Sequence, residues 1–475
     1  MSATTMTSTA TFDVIVIGAG PAGEVVAGRL AGKGRAVAVV EAELVGGECS
    51  FYACMPSKAL LRPAQALAEV RRVPGAAEAV TGELDVAAAL ARRDEVIHDR
   101  EDSNAVPWLE DRGVTLIRGH GRLDGERRVR VGDDLHTARE AVVLAVGSSA
   151  AVPPIPGLRE ARPWTNREAT TTERIPARLT VLGGGPVGVE LAQAFSDLGA
   201  AVTLAEAAPR LLPREEPFAS EQVQAGLAEH GVDVRAGATV QSVRRDGAVV
   251  TTELGDGDTI EGDEILVAVG RRPRTADLGL DTVGLEPGTS VEVDSRLRVP
   301  GLRWLYAIGD VNGRSLLTHS GKYQAYVVSE VIDGGHARAR ADAAGLSPRI
   351  VFTEPQVAAV GLTLEAAETQ GLRARAYDVP TSITAGASFH GRGAPGTSRL
   401  VVDEARGVIV GATFTGVDVA EWVHAATIAV VGAIPVERLW DAIPAFPTRS
   451  EIWLRLLERR EAELAAGRDD RSNAS

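Results

Sequence analysis

Phe12-Asp13-Val14-Ile15-Val16-Ile17-Gly18-Ala19-Gly20-Pro21-Ala22-Gly23 is an apolar run that ends in three spaced glycines. Phe12 to Ile17 predicts a short buried strand, and Glu24 to Leu30 continues at helical spacing. Between a strand and a helix, each glycine of G-x-G-x-x-G has a mechanical role. The first permits the turn, the second lets backbone approach a pyrophosphate, and the third packs helix on strand, with the helix N-terminus facing the anion. A second strand, Ala36 to Val40, ends in Glu41, close to the spacing at which a carboxylate can accept hydrogen bonds from a ribose. The complete unit predicts dinucleotide binding.

The same signature recurs downstream, as an internal repeat. Leu179 to Leu182 reads as a strand, Gly183-Gly184-Gly185-Pro186-Val187-Gly188 as the turn, Val189 to Leu198 as the helix and Ala201 to Ala205 as the next strand. It ends in Glu206, at the same distance from Gly188 as Glu41 from Gly23. Two dinucleotide sites follow. A carboxylate at Glu206 suits the free 2′-hydroxyl of NAD and would repel the 2′-phosphate of NADP. Arg210, shortly after it, either weakens that preference or pairs with Glu215 or Glu216.

Just after the first unit, Gly46-Gly47-Glu48-Cys49-Ser50-Phe51-Tyr52-Ala53-Cys54-Met55-Pro56-Ser57-Lys58 holds both cysteines of the chain. They read either as a redox pair beside a bound cofactor or as two small buried hydrophobes. Met55 to Val70 predicts a helix, with Cys54 near its N-terminus, where the dipole favours a thiolate. Residues five apart in regular helix are separated by about 7.5 Å along the axis, near the limit for a disulfide. A Cys49–Cys54 bond therefore requires a distorted first turn. Lys58 is either a solvated lysine or a cation held near a cofactor.

Elsewhere, a polar helical stretch is expected over Val86 to Arg112, and an apolar strand over Ala141 to Gly147. Pro153-Pro154-Ile155-Pro156-Gly157 marks a domain seam. Ile265 to Gly270, followed by Arg271 and Arg272, closes the second unit. Leu305 to Asp310 predicts a strand that delivers an acid, either a turn residue or a ligand group. From Ser347, short strands and helices alternate up to a final helix near Thr448. The lead 1–11 and the tail 467–475 read as disordered.

With 475 residues, 51 glycines, 45% hydrophobic and only 4% aromatic residues, the composition suits a multidomain α/β protein. Its 50 basic and 64 acidic residues give a net charge of −14, which argues against a nucleic-acid partner. The longest uncharged apolar runs fall short of the roughly 18 residues of a membrane span, so no membrane partner is expected. Two cysteines make a disulfide-stapled secreted fold unattractive, and the cytoplasm is the default compartment. No metal site is expected.

Five motifs stand in order: Gly18–Gly23 with Glu41, the Gly-Gly-x-Cys-x4-Cys-x-Pro-Ser-Lys stretch, Gly183–Gly188 with Glu190 and Glu206, Gly309-Asp310, and Pro447-Thr448-x-Ser450-Glu451. Together they resemble the pyridine nucleotide-disulfide oxidoreductases, the flavoprotein family of dihydrolipoamide dehydrogenase, glutathione reductase and mercuric reductase. The resemblance implies two Rossmann-like domains and a C-terminal α+β dimerisation domain. Their bounds are 12–157 with 281–346 for FAD, 158–280 for NAD, and 347–466 for pairing in a homodimer whose partner completes each active site. It implies FAD at Gly18, Gly20, Gly23, Glu41 and Lys58, and also at Gly121, Gly147, Gly309 and Asp310. It implies NAD(H) at Gly183, Gly185, Gly188, Glu206, Val240 and Gly270. Cys49, Cys54, Lys58, Glu190 and Glu451 form the implied catalytic set. Cys54 would be the thiol next to the flavin, Cys49 the interchange thiol, and Lys58–Glu190 an ion pair beside the flavin.

One departure stands against these matches. Family members carry a histidine before the C-terminal Pro-Thr, as acid/base for the interchange thiol, oriented by the glutamate at Glu451; here that residue is Phe446, and Pro444 stands two earlier. None of the eight histidines lies in the motif. His319 and His424 read as packing residues, and Glu451 without a histidine reads as structural. General acid/base catalysis contributes about 10²- to 10⁴-fold, so the final acceptor, a small disulfide or a quinone, stays open. The alternatives are an NADH:quinone or dye reductase that bypasses the disulfide, and a redox-sensing flavoprotein.

Overall fold

The computed structural model describes residues 9–342 and 345–473. The chain forms two compact units, one of Met1–Pro56, Ala91–Ala151 and Gly270–Ala343, the other of Ser57–Leu90, Val152–Val269 and Ala344–Ser475.

In the first unit, strand Thr11–Ile17 lies between Val37–Glu41 and Asp134–Leu144, parallel to both. Val114–Arg118 and Leu302–Ala307 extend the sheet on either side. Both faces are covered: Val14 and Val16 enter one apolar cluster, Ile15 and Ile17 another. Burial on both sides is why the strand reads as a continuous apolar run. Helices Pro21–Gly32 and Thr318–Ile332 pack together on the first face through Val26, Leu30, Ala325 and Val328.

The second unit repeats the parallel motif in four strands, ordered Asp233–Ala236, Ala201–Glu206, Arg178–Leu182 and Glu264–Val267. A three-stranded antiparallel sheet spans residues 240–262. After residue 345 comes a five-stranded antiparallel sheet, with helix Val423–Val431 and the start of the final helix closing its core at Ala426, Ile452 and Leu456.

Three expectations need correction. The helical stretch over Val86 to Arg112 is two helices, Val86–Val96 and Val106–Glu110. His98, Asp99 and Arg100 between them take positive φ, and the turn-forming Asp102-Ser103-Asn104 follows. The tail expected to leave the helix at Gly467 stays helical as far as Asn473. A lone glycine costs a helix about 1 kcal/mol and no proline follows to stop it. Residues 1–8 of the expected lead and 474–475 of the tail lie outside the described residues. Arg210 pairs with neither Glu215 nor Glu216. Its guanidinium donates to the carbonyls of Leu212, Pro213 and Glu215, while Arg349 and Arg399 take the two carboxylates. No described helix is long and apolar enough to cross a membrane.

Candidate active site

The first glycine turn follows its strand directly. Gly18 has φ +102, a left-handed conformation only glycine adopts freely. A Cβ on Gly23 would sit 1.9 Å from the Gly18 carbonyl oxygen, whereas one on Gly20 would meet nothing within 4 Å. That open space is what a closely approaching phosphate requires. Glu41 accepts the Ala19 N–H at 2.7 Å and the Glu43 N–H at 2.7 Å, which holds its carboxylate at the end of the strand. The second turn is a near copy: Gly183 has φ +107, Gly185 faces open space, and a Cβ on Gly188 would sit 1.8 Å from the Gly183 carbonyl oxygen. Glu206 accepts the Gly184 N–H at 2.5 Å and the Ala208 N–H at 2.6 Å.

The Gly46 N–H donates to the Ala19 carbonyl at 2.8 Å, which joins the cysteine stretch to the first turn. The distortion needed to bring the cysteines together is a break between two helices. Cys49 lies in the short helix Gly47–Phe51, Tyr52 leaves helical geometry at φ −135, and Cys54 opens the helix Cys54–Arg72. Both cysteines are thiols, with no disulfide between them. The Thr318 hydroxyl donates to Cys49 Sγ at 3.0 Å and lies 3.6 Å from Cys54 Sγ. A hydrogen bond with Cys54, and then burial, push the Cys49 thiol up, while Thr318 and the Lys322 ammonium oppose them. Sequence reasoning missed Thr318, which is far from Cys49 along the chain and belongs to no local pattern.

Asp310 lies in the turn Gly309–Asn312 and accepts from the Ser148 hydroxyl at 2.5 Å. Burial raises its pKa, with Ser148 and Arg271 acting the other way. Arg271 also donates to Ser148 Oγ at 2.7 Å and stands 3.4 Å from Glu48, which Arg274 meets at 3.1 Å. Ser148 and Glu48 carried no sequence signal. The Gly309 N–H donates to Gln324 at 2.7 Å. Gly147 and Gly270 precede the paired strands Ser148–Ala150 and Arg271–Pro273. At Gly121 a Cβ would crowd Val40 and Ile17 at 2.9 and 3.0 Å.

Within the second unit, Lys58 Nζ meets Glu190 Oε2 at 2.6 Å and stands over the Phe352 ring at 4.9 Å. Glu190 is 4% exposed and also accepts the Phe352 N–H at 2.9 Å. Val240 opens the three-stranded sheet and packs with Leu158 and Val243. Glu451 accepts the Ala385 N–H at 2.9 Å and an Arg455 N–H at 2.5 Å, so its carboxylate holds its own fold together. The first of these bonds, chiefly, keeps its pKa below the ordinary range. Phe446 is 79% exposed. A cavity of about 480 Å³, lined by Arg71, Glu83, His230 and Glu354 among others, contains none of the expected site residues. Glu69, His390 and Asp418 have ligand-type atoms within 4.8 Å of one another, and Asp418 also faces Arg449 at 3.9 Å.

Comparison with known proteins matches residues 12–328 to the pyridine nucleotide-disulphide oxidoreductase model and residues 347–456 to the dimerisation domain of the same group. A dihydrolipoyl dehydrogenase of Thermus scotoductus is 34% identical over 93% of this chain and 95% of its own. A mercuric reductase of Staphylococcus aureus is 31% identical over 93% of this chain and 81% of its own. Among solved structures, the HOCl-induced flavoprotein disulfide reductase RclA from Escherichia coli aligns at TM-score 0.83 and 26% identity, covering 94% of this chain and 99% of that one. The two copied glycine turns, the paired thiols and these matches lead to one conclusion: the chain belongs to the pyridine nucleotide-disulfide oxidoreductases, enzymes that use FAD and NAD(P)H.

Proposed function

We propose that the chain takes electrons from NADH, passes them through FAD to the Cys49–Cys54 pair, and delivers them to a small disulfide or quinone as a cytoplasmic homodimer. The observation that carries this reading is the thiol pair held at one hydroxyl, 3.0 and 3.6 Å from Thr318, in the unit that contains the first glycine turn. The domain bounds given above are part of the reading.

The residues fit the two nucleotides. Gly20 and Gly185 leave open space where a side chain would block a phosphate, and each opens a helix with proline in its first turn. FAD would be held by Gly18, Gly20, Gly23 and Glu41, with Gly121, Gly147, Gly309 and Asp310. NADH would be held by Gly183, Gly185, Gly188 and Glu206, with Val240 and Gly270. When bound, NADH supplies a hydride and FAD relays its electron pair. Lys58, fixed by Glu190, brings an ammonium group for the flavin, and Glu451, which accepts from the Ala385 N–H and from Arg455, has a structural part. Preference for NADH rests on Glu206, locked by two backbone N–H groups, and on Arg210, whose guanidinium is occupied by carbonyls.

With a disulfide acceptor, the Cys49 thiolate attacks one acceptor sulfur, forming a mixed disulfide as the acceptor's S–S bond breaks. The Cys54 thiolate then attacks Cys49 sulfur, closing the Cys49–Cys54 bond and releasing the second acceptor thiolate; each released thiolate takes one proton from solvent. Phe446 offers no proton for this exchange. Its exposed ring favours the second reading, a quinone or dye reductase that bypasses the disulfide. Ile428, Val431 and Ile443 are exposed with it, at 54%, 53% and 86%. Exposed apolar side chains in the segment matched by the dimerisation-domain model support pairing with a second copy.

The test is anaerobic NADH reduction followed by lipoamide, low-molecular-weight disulfides and quinones, in the parent protein and Cys49→Ser. The first reading expects the variant to lose disulfide reduction. Quinone turnover that survives the substitution while the parent ignores disulfides would establish the second reading instead. A bound flavin that NADH cannot reduce would overturn both.

A further inference from the structure

The two cysteines are carried by unequal elements. Cys54 opens a helix of 19 residues, Cys54–Arg72, whereas Cys49 sits on one of 5, Gly47–Phe51. A single helical turn does not hold itself in water, so tertiary contacts set its place. Its anchors include the Gly46 N–H, tied to the Ala19 carbonyl at 2.8 Å, and the buried ring of Phe51. A further anchor is Glu48, the residue before Cys49, which is gripped at both carboxylate oxygens. Oε1 lies 3.4 Å from Arg271 Nη2, and Oε2 lies 3.1 Å from Arg274 Nη2. Both guanidiniums are themselves fixed. Arg271 donates to the Ser148 carbonyl at 2.9 Å and to its hydroxyl at 2.7 Å, and Arg274 donates to the same carbonyl at 3.3 Å. The side chains of Glu48, Arg271 and Arg274 are 18%, 19% and 34% exposed, so solvent and salt screen the grip only in part.

Resting on the function proposed above, we propose that Glu48 is a positioning residue: gripped by Arg271 and Arg274, it holds the short helix so that Cys49 stays opposed to Cys54 while the bond between them is open. In that open state the two sulfurs share the Thr318 hydroxyl, at 3.0 and 3.6 Å, and no covalent bond keeps Cys49 in place.

Two groups held in register react as if each were present at a high effective concentration. Releasing the helix Gly47–Phe51 enlarges the freedom of the open pair more than that of the closed pair, in which the S–S bond already restrains Cys49. The open, reduced form gains, and the pair becomes easier to reduce. Loss of the Glu48 charge has a second effect in the same direction, because a nearby anion opposes a thiolate, whereas loss of the Arg274 charge has the opposite one. Arg274 therefore separates the two causes. A grip lost at either end raises the midpoint potential of the pair; a change of charge alone raises it in a Glu48 variant and lowers it in an Arg274 variant.

The experiment equilibrates purified holoprotein, anaerobically at neutral pH, with mixtures of reduced and oxidised dithiothreitol, and counts closed pairs by alkylation and mass spectrometry. Each Cys49–Cys54 bond that opens takes two electrons and two protons from one reduced dithiothreitol, which closes to its cyclic disulfide. Glu48→Gln should lower the effective concentration about tenfold, a rise of about 30 mV in the midpoint. Arg274→Gln should shift it the same way by less, because Arg271 remains, and both variants should keep the parent's flavin absorbance per chain. Arg274→Gln carries the test where the Glu48 variant does not fold. An unmoved midpoint in the folded variants, shifts of opposite sign, or loss of flavin from both would overturn the proposal. Dithiothreitol takes the place of NADH in this measurement. A raised midpoint in protein whose flavin NADH cannot reduce would therefore break the proposed function and leave Glu48 its role, whereas an unmoved midpoint in an enzyme that NADH reduces fully would do the reverse.

Discussion

The two glycine turns are close copies, and the carboxylates behind them are not. In each, the first glycine has φ just above +100, and the third lies under its carbonyl. The acid that closes the second strand, Glu41 or Glu206, accepts the N–H that follows the first glycine. On the helix after the first turn, Glu24 is partly buried, and burial pushes its pKa up to about 7, opposed by Lys322 and reinforced by Glu41. On the helix after the second, Glu190 is deeper, yet Lys58 meets it at 2.6 Å. A backbone turn can be copied within one strand–turn–helix unit because everything it needs is local. A buried charge depends on what a distant segment brings, so it diverges between copies.

The largest effect should come from breaking the shared part. Gly23→Ala and Gly188→Ala each drive a Cβ into a backbone carbonyl oxygen, at 1.9 and 1.8 Å. That oxygen cannot swing aside, and overpacking of this kind costs about 3 kcal/mol or more. Gly23→Ala should emerge without flavin. Gly188→Ala should keep its yellow colour and lose NADH binding. Flavin absorbance per chain and an NADH titration check both, and loss of flavin from Gly188→Ala would show that the two turns do not act separately.

The same contrast explains what was legible in the chain. The glycine turns, Glu41, Glu206 and the cysteine pair were readable because their meaning lies in short spacings. The break at Tyr52 was foreseen only as a distortion, since separation along a helix says that something must yield and not where. Thr318, Ser148 and Glu48 were invisible. Their partners Cys49, Asp310 and Arg271 all come from remote segments, and nothing local marks a serine or threonine that will meet a sulfur or an acid. The final helix was misjudged at its end because charge-rich composition suggested disorder, whereas the segment continues a helix already anchored at Ile452 and Leu456.

Removing the partner that makes the second copy different should cost less than removing a glycine. Lys58→Met leaves Glu190, 4% exposed, with its charge uncompensated. Breaking a buried pair costs about 3–5 kcal/mol, and the exposure of Lys58 to solvent brings this nearer 2–3 kcal/mol. Chemical denaturation should show that loss, and Lys58→Met with Glu190→Gln should recover much of it, because no buried charge is then stranded. A double variant no better than the single would mean that Lys58 stabilises through its stem against Phe352 rather than through its charge.

Glu24→Gln should give the smallest effect, and one of opposite sign. The folded pKa of Glu24 lies near 7, above its ordinary 4.5. A raised carboxyl pKa stabilises the fold while the group is protonated, and that advantage is lost as pH rises through the interval from 4.5 to about 7. Above that interval the parent carries a poorly solvated carboxylate, and the amide does not. At about 1.4 kcal/mol per pKa unit the ceiling is near 3 kcal/mol, and the remaining exposure of the side chain reduces it to about 1–2 kcal/mol. Denaturation of both proteins at pH 4 and pH 8 should therefore show little difference at the lower value and a more stable variant at the higher. Equal stability at both would mean that Lys322 compensates Glu24 as Lys58 does Glu190, and the two copies would then follow one rule in their charges as well as in their turns.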